Sequence, residues 1–311
     1  MRTEEIEMFR TSLGEMVREL GMLNRNSSGT DLSPLQSHIL IELNKNPAGV
    51  TELAQRLCTE KSSISRTIRS LEKVGLVFRM QDKQDGRAAN FRLSESGSKA
   101  HETINNNANA FISDALLLAS ESEIESITRN VIGLTSALKN ARKQRELNIV
   151  IRPITAADND HIAEVIRKSF RDNKIDHLEG VSLHDPVLSN LTDAYKAEKS
   201  GYWVVIANGS LVGGVGIAQL SGAGEEYCEM QKLYLDKSVI GIGLGRRLIA
   251  LSIEKAKEFG YSYCYLETLN ELSSAVSLYE SFGFKHLDGR LGNTGHGGCG
   301  ICMLKALSNI I

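Results

Sequence analysis

The sequence predicts two domains, a mainly α-helical domain at the amino end and an α/β domain behind it. Three observations carry this. At 311 residues the chain is longer than one ordinary domain. Residues 1–146 read as helices with a single hairpin signal, and beyond 147 apolar strands alternate with amphipathic helices. A composition 41% hydrophobic and 24% charged supports packed cores rather than disorder. No apolar run approaches the ~20 residues of a membrane span. The start, Met-Arg-Thr-Glu-Glu, lacks the basic-then-apolar order of a secretion signal, so a cytoplasmic, membrane-free protein is expected. Five scattered cysteines (58, 228, 264, 299, 302) suggest reduced thiols rather than a disulfide framework. Cys299-x-x-Cys302, with His296 three residues ahead, lacks the second pair of a four-ligand zinc site, and no metal is expected.

In the first domain Thr51 is a good N-cap for a short helix burying Leu53, Ala54 and Leu57. A tight connection at 58–61 leads into a second helix. There Ile64, Ile68 and Leu71 fall at i, i+4 and i+7 and form the buried stripe. Ser62, Ser63, Ser65, Arg66 and Arg69 therefore point away, a small, polar, cationic face of the kind that enters a major groove. Residues 75–80 and 88–93 then read as strands flanking a polar, glycine-containing tip, a hairpin carrying Arg79, Lys83, Arg87 and Arg92. From Arg56 to Arg92 nine Lys/Arg stand against four Asp/Glu, although the whole chain carries a net charge of −2. A polyanion suits this segment; residues 148–311, with sixteen basic against nineteen acidic side chains, show no such bias.

A helix pair followed by a basic wing resembles the MarR family of winged-helix regulators. The stretch "DKQDGRAANFRLSESG" is similar to that family's Asp-x-x-Asp-x-Arg wing tip, strand and following helix start. The resemblance implies that Arg87 enters the minor groove, oriented by Asp85, while Ser62, Ser63, Ser65 and Arg66 line the major groove. It also implies a homodimer, built from helices near 3–22, 95–119 and 122–145. Such a dimer would present two recognition helices to a palindromic operator in double-stranded DNA.

The polar, basic run 137–146 precedes Leu147-Asn-Ile-Val-Ile-Arg152-Pro153, a short apolar strand closed by proline, so the domains are expected to meet near 147, giving 1–146 and 147–311. Next come helices at 156–170 and 187–199, strands at 202–207 and 211–219 joined by Asn208-Gly209, and a strand at 226–235. That strand delivers the chain into "VIGIGLGRRLI" (239–249). Gly241, Gly243 and Gly245 miss the dinucleotide spacing G-x-G-x-x-G, because Arg246 holds the position that register gives to the third glycine. The helix behind them buries Leu248, Ile249, Ile253 and Ala256 and ends at Gly260. Strand, glycine turn and helix N-terminus together make an anion site, since free N–H groups and the positive end of the helix dipole converge. A strand at 263–268 and a helix at 273–284 follow.

This set resembles the GNAT N-acetyltransferases over residues 149–307. The loop Ile240-Gly241-Ile242-Gly243-Leu244-Gly245 is similar to their pyrophosphate motif, with Ile240 in place of Arg or Gln; "AVSLYESFGF" is similar to their second signature. The resemblance implies an α/β fold with a mixed central sheet and acetyl-CoA as acetyl donor. Main-chain N–H groups of 241–246, Arg246 included, would hold the pyrophosphate. Leu233, Tyr234 and Leu235 would offer main-chain partners to the pantetheine arm. Where many relatives carry a pantetheine-binding Asn stands Leu272, and Asn270 is two residues out of register. Tyr279 maps onto the tyrosine that protonates the departing thiolate, an acid already protonated at neutral pH. Glu229 and Glu267 compete as general base for the amine, with water held by the backbone as a third option.

The acceptor, a small amine or amino acid, is left to the segments around 171–186, 220–226 and 289–300. The expected function is a transcriptional regulator that also transfers acetyl from acetyl-CoA to an amine by direct attack. Two alternatives stand beside it. One is a regulator whose second domain only senses acyl-CoA or an amine; the other is an acetyltransferase whose winged helix only dimerises.

Overall fold

A computed structural model of the chain describes residues 3–24, 26, 29–80, 90–178, 183, 185–294 and 298–307. The chain forms two compact units, Met1–Ser126 and Ile127–Ile311. They divide inside a long helix, α6 (Glu121–Glu146), whereas the sequence placed the junction after that helix. The later turns of α6 bond to the second unit, which is why they group with it.

In the first unit α2 (Pro34–Lys45) opens with a reciprocal cap, the Ser33 hydroxyl accepting from Gln36 N and the Gln36 amide oxygen accepting from Ser33 N. α3 (Val50–Arg56) begins two residues earlier than expected, with Gly49 rather than Thr51 as its cap. The reason is that β1 (Ala48–Gly49), paired with β3 (Asn90–Leu93), runs straight into the helix. α4 (Lys61–Lys73) buries Ile64, Ile68 and Leu71 almost completely, against Ile39, Leu40, Leu53, Val77 and Phe91. Each such side chain contributes about 1.5–3 kcal/mol by burial, which fixes the rotation of the helix and the direction of its polar face. β2 (Val77–Arg79) completes a three-stranded antiparallel sheet in the order β1-β3-β2. The wing tip between β2 and β3, with Lys83, Asp85 and Arg87, lies outside the described residues. α1 (Thr3–Glu19) and α5 (Glu95–Ala115) stop short of the expected 22 and 119.

The second unit is built on a seven-stranded sheet. Its order is β4 (Val150–Pro153), β5 (Gly201–Ala207), β6 (Ser210–Gln219), β7 (Tyr227–Leu235), β8 (Tyr263–Thr268), β10 (Ile301–Ala306), β9 (Lys285–His286). Every neighbouring pair is antiparallel except β7 and β8, so the sheet is mixed as expected. Asn208 and Gly209 both take positive φ, the two-residue turn that matches strand twist. On one face α7 (Asn159–Asp172) buries Ile162, Ile166 and Phe170. On the other lie α9 (Leu244–Glu258), burying Leu248, Ile249 and Ala256, and α10 (Ser273–Ser281). In α9 Ser252 takes the fully buried place expected for Ile253, which is half-buried.

The helix expected at 187–199 does not form. A 3-10 turn at Pro186–Ser189 and a single helical turn, α8 (Leu191–Ala194), flank Asn190 at φ −145°, ψ 58°. Polar side chains compete for the backbone's role here. The Asn159 amide donates to Asn190 Oδ1 (3.1 Å) and Thr192 Oγ1 (2.8 Å), which holds the break open.

Candidate functional site

β7 and β8 pair only from Tyr227 to Glu229 and from Tyr263 to Tyr265, then part. Beyond the last pair both strands keep an unpaired edge facing the gap, including the main chain of Leu233, Tyr234 and Leu235. A bulge sharpens the divergence, since the β6–β7 register slips between Gly214 and Gly216, opposite Lys232 at φ 50°. The cleft so formed is lined by Glu229, Gln231, Lys232, Glu267, Tyr279 and Cys299 among others. All three side chains singled out by sequence, Glu229, Glu267 and Tyr279, thus reach one cavity.

Glu229 is 3% exposed. Burial pushes its carboxyl up from 4.5 to about 7, opposed by a hydrogen bond from Gln231 and by the Lys232 charge, and assisted by the nearby Glu267. Gln231 Nε2 donates to Glu229 Oε2 at 2.5 Å, and Tyr195 Oη donates to Gln231 Oε1 at 2.8 Å. Room for the Tyr195 ring comes from Gly216, where any Cβ would stand 2.4 Å from that ring. Glu267 is held differently. Its Oε1 accepts from Tyr265 Oη (2.8 Å) and Thr294 Oγ1 (3.0 Å), while its Oε2 is buried without a partner among the described residues. The Lys232 ammonium, almost wholly buried, bonds Asp185 at 2.6 Å.

Tyr279 is buried on α10, edge-on to Phe284. Burial drives its phenol well above the usual value of 10, more strongly than the sequence suggested, so the proton stays on at any physiological pH. Leu272, which replaces the expected Asn, lines the same cleft, whereas Asn270 is exposed.

The glycine loop has the form its alternation implies. Ile242 and Leu244 are 6% and 1% exposed and root the loop in the core, while Ile240 stands 60% exposed. Gly241 and Gly243 take φ of 78° and 81°, a region that favours glycine, and Gly243 caps α9. The N–H groups of Gly241, Ile242, Gly243, Leu244, Gly245 and Arg246 find no acceptor among the described residues. Six free donors at the positive end of a fifteen-residue helix suit a doubly charged phosphate. Arg246 lies over the Phe282 ring and donates to Ser281 Oγ.

In the first unit α4 exposes Ser62, Arg66 and Arg69, with Ser63 and Ser65 half-exposed beside them. Among the described residues Arg66 and Arg69, and the hairpin's Arg79 and Arg92, have no carboxylate partner, unlike Arg56, which pairs with Glu52 and Glu42. Unneutralised cations are what phosphate contacts require.

Sequence reasoning missed Tyr195, Gln231 and Lys232, and it gave Asp185, Thr294 and Cys299 no individual role here, although they fall in segments left to the acceptor. Only Gln231 carried a signal, standing two residues from Glu229 and hence on the same strand face.

The Acetyltransferase (GNAT) family model matches residues 154–284 and the MarR family model matches residues 32–89. The chain is 41% identical over 158 residues to the uncharacterized N-acetyltransferase YjgM of Escherichia coli (strain K12), spanning 51% of this chain and 95% of that protein. It is 32% identical over 101 residues to N-acetyltransferase 8B of Homo sapiens, over 32% of this chain and 44% of that one. Among solved structures, an acetyltransferase of the GNAT family from Staphylococcus aureus Mu50 has 21% identity and a TM-score of 0.46, over 51% of this chain and 99% of its own. Streptococcus pneumoniae FabT in complex with DNA has 20% identity and a TM-score of 0.38, over 45% and 99%.

Proposed function

The chain belongs to the GNAT acetyltransferase family and carries a MarR-family domain ahead of its acetyltransferase domain, and on that premise we propose a DNA-binding regulator that is also an acetyl-CoA-dependent N-acetyltransferase. The observation that carries the catalytic half is one cleft holding a buried carboxyl near pKa 7 and a protonated phenol. The loop of free N–H groups at the head of α9 fits the cofactor's pyrophosphate.

Bound acetyl-CoA supplies an activated acetyl thioester, which passes directly to the amine nitrogen of the acceptor. Glu229 takes the proton that the amine loses, directly or through one water. A base with a pKa near the working pH combines availability with driving force. Gln231, itself held by Tyr195, keeps the carboxylate aimed. Tyr279 gives its proton to the sulfur as the C–S bond breaks. The acceptor is a small amine or amino acid, entering beside Glu267, whose unpartnered oxygen can accept from an N–H.

The amino-terminal half binds a palindromic operator as a homodimer, through Ser62, Ser63, Ser65, Arg66 and Arg69 in the major groove and Arg87, supported by Asp85, in the minor groove. The dimer reading draws on the apolar residues that α1 and α5 leave exposed, Met8, Phe9, Phe111 and Ile112 among them.

Thiol release from acetyl-CoA, measured against a panel of amines and amino acids, tests the enzyme. No release with any acceptor, while acetyl-CoA still binds, would leave a sensor in place of a catalyst. Loss of an operator gel shift in Arg66→Ala, but not in Tyr279→Phe, tests the regulator.

A further inference from the structure

The cofactor loop leans on residues that precede the acetyltransferase match. Gln144, in the last turn of α6, donates from Nε2 to the carbonyl of Ile242 at 2.7 Å. Its amide oxygen in turn accepts from Arg247 Nη1 at 3.1 Å, so both ends of the side chain are engaged by the loop and by the helix behind it. One turn earlier on the same helix face, Asn140 lies against Gly243, where a Cβ would come within 3.0 Å of Asn140 Nδ2 and 3.3 Å of its Cβ and Cγ. All of these residues belong to the second unit, and Asn140 and Gln144 stand outside the matched segment 154–284.

The covalent geometry of the loop gives the contact its meaning. The carbonyl of Ile242 and the N–H of Gly243 belong to one planar trans peptide and point in opposite directions. Fixing the carbonyl toward α6 therefore turns the Gly243 N–H away from α6, among the donors left free for the pyrophosphate. A glycine at positive φ on each side of Ile242 leaves this peptide easy to rotate, so an external hold matters.

We propose that Gln144 is a positioning residue of the cofactor site, and that the end of α6, through Gln144 and Asn140, is the back wall of the pyrophosphate loop. The inference rests on the cofactor reading given above. Its consequence is that the cofactor affinity of this chain depends on a helix that the acetyltransferase match does not include.

The test uses the full chain and Gln144→Met, which keeps length and volume and removes the hydrogen bonds. The dissociation constant of acetyl-CoA should rise about tenfold, and its KM with it, with kcat nearly unchanged. Kinetics with S-acetylpantetheine, which has no pyrophosphate, should be unaltered; a merely structural role would impair both donors alike. An acetyl-CoA affinity within twofold of wild type, or equal losses with the two donors, would overturn the proposal. Failure of the wild-type chain to bind acetyl-CoA at all would instead overturn the cofactor reading.

Discussion

Glu229→Gln separates catalysis from stability in one variant. Carrying the carboxyl from 4.5 up to about 7 corresponds to about 3 kcal/mol. Below pH 4.5 the folded and unfolded chains both hold the proton and nothing is lost. As pH rises past 4.5 the unfolded chain ionises while the folded one keeps its proton, so stability falls until about pH 7 and then stays at its reduced level. Glutamine does not ionise and escapes that loss. Its carbonyl still accepts from Gln231, though more weakly than a carboxylate would, so the net gain at pH 8 should be about 2–3 kcal/mol, with almost none at pH 4. Urea unfolding followed by the fluorescence of Trp203 reports on the second unit, since this sole tryptophan is buried in β5. In the same variant kcat/KM should drop about 10²–10⁴-fold, and the wild-type rise of activity through pH 7 should disappear. A variant less stable than wild type at pH 8, or one whose advantage is the same at pH 4 and pH 8, would refute the reasoning.

Tyr279→Phe should lower kcat by about 10²-fold or more while the dissociation constant of acetyl-CoA stays put, because the lost hydroxyl acts on the leaving sulfur; an unchanged kcat would remove the phenol from the mechanism. Gly243→Asp adds about 1–2 kcal/mol of left-handed strain, a clash with Asn140 and a negative charge at the phosphate site, so calorimetry should find acetyl-CoA binding largely lost. Arg66→Ala should weaken operator binding and reduce the slope of log affinity against log salt by about 1 if it meets a phosphate, or relax base preference at one position if it reads a guanine.

What could be read from the sequence was what a contiguous stretch specifies. The stripe Ile64, Ile68, Leu71 fixed the exposed face of α4, because a helix has one period and one core. The positive φ of Gly241 and Gly243 was implicit in a residue choice that only a left-handed turn requires. The parts that escaped arise between distant segments. Tyr195 reaches Gln231 across 36 positions, and Gln144 reaches Ile242 across 98, with no local pattern in either segment to announce the pairing. Residues 187–199 misled for a related reason. Their apolar spacing suits a helix, but Asn159, distant in sequence, accepts from Thr192 N and so takes a backbone donor that a continuing helix would have used.

The same contrast ranks the two carboxylates. Both lie on strands facing the cleft, so sequence left them equal; surroundings do not. Glu267 already accepts two hydroxyl hydrogen bonds on Oε1, and its buried Oε2, without a partner among the described residues, is suited to holding an ammonium. Glu229 sits in a dry environment, which favours proton capture near pH 7 and outweighs its one amide donor. An alkylammonium of pKa about 10 would give its proton to such a base uphill by about 4 kcal/mol. Desolvation in the cleft lowers the ammonium's own pKa and closes part of that gap. On the proposed reading the burial that destabilises ionised Glu229 is therefore also what lets it deprotonate the acceptor, while Glu267 anchors the charge until the proton leaves.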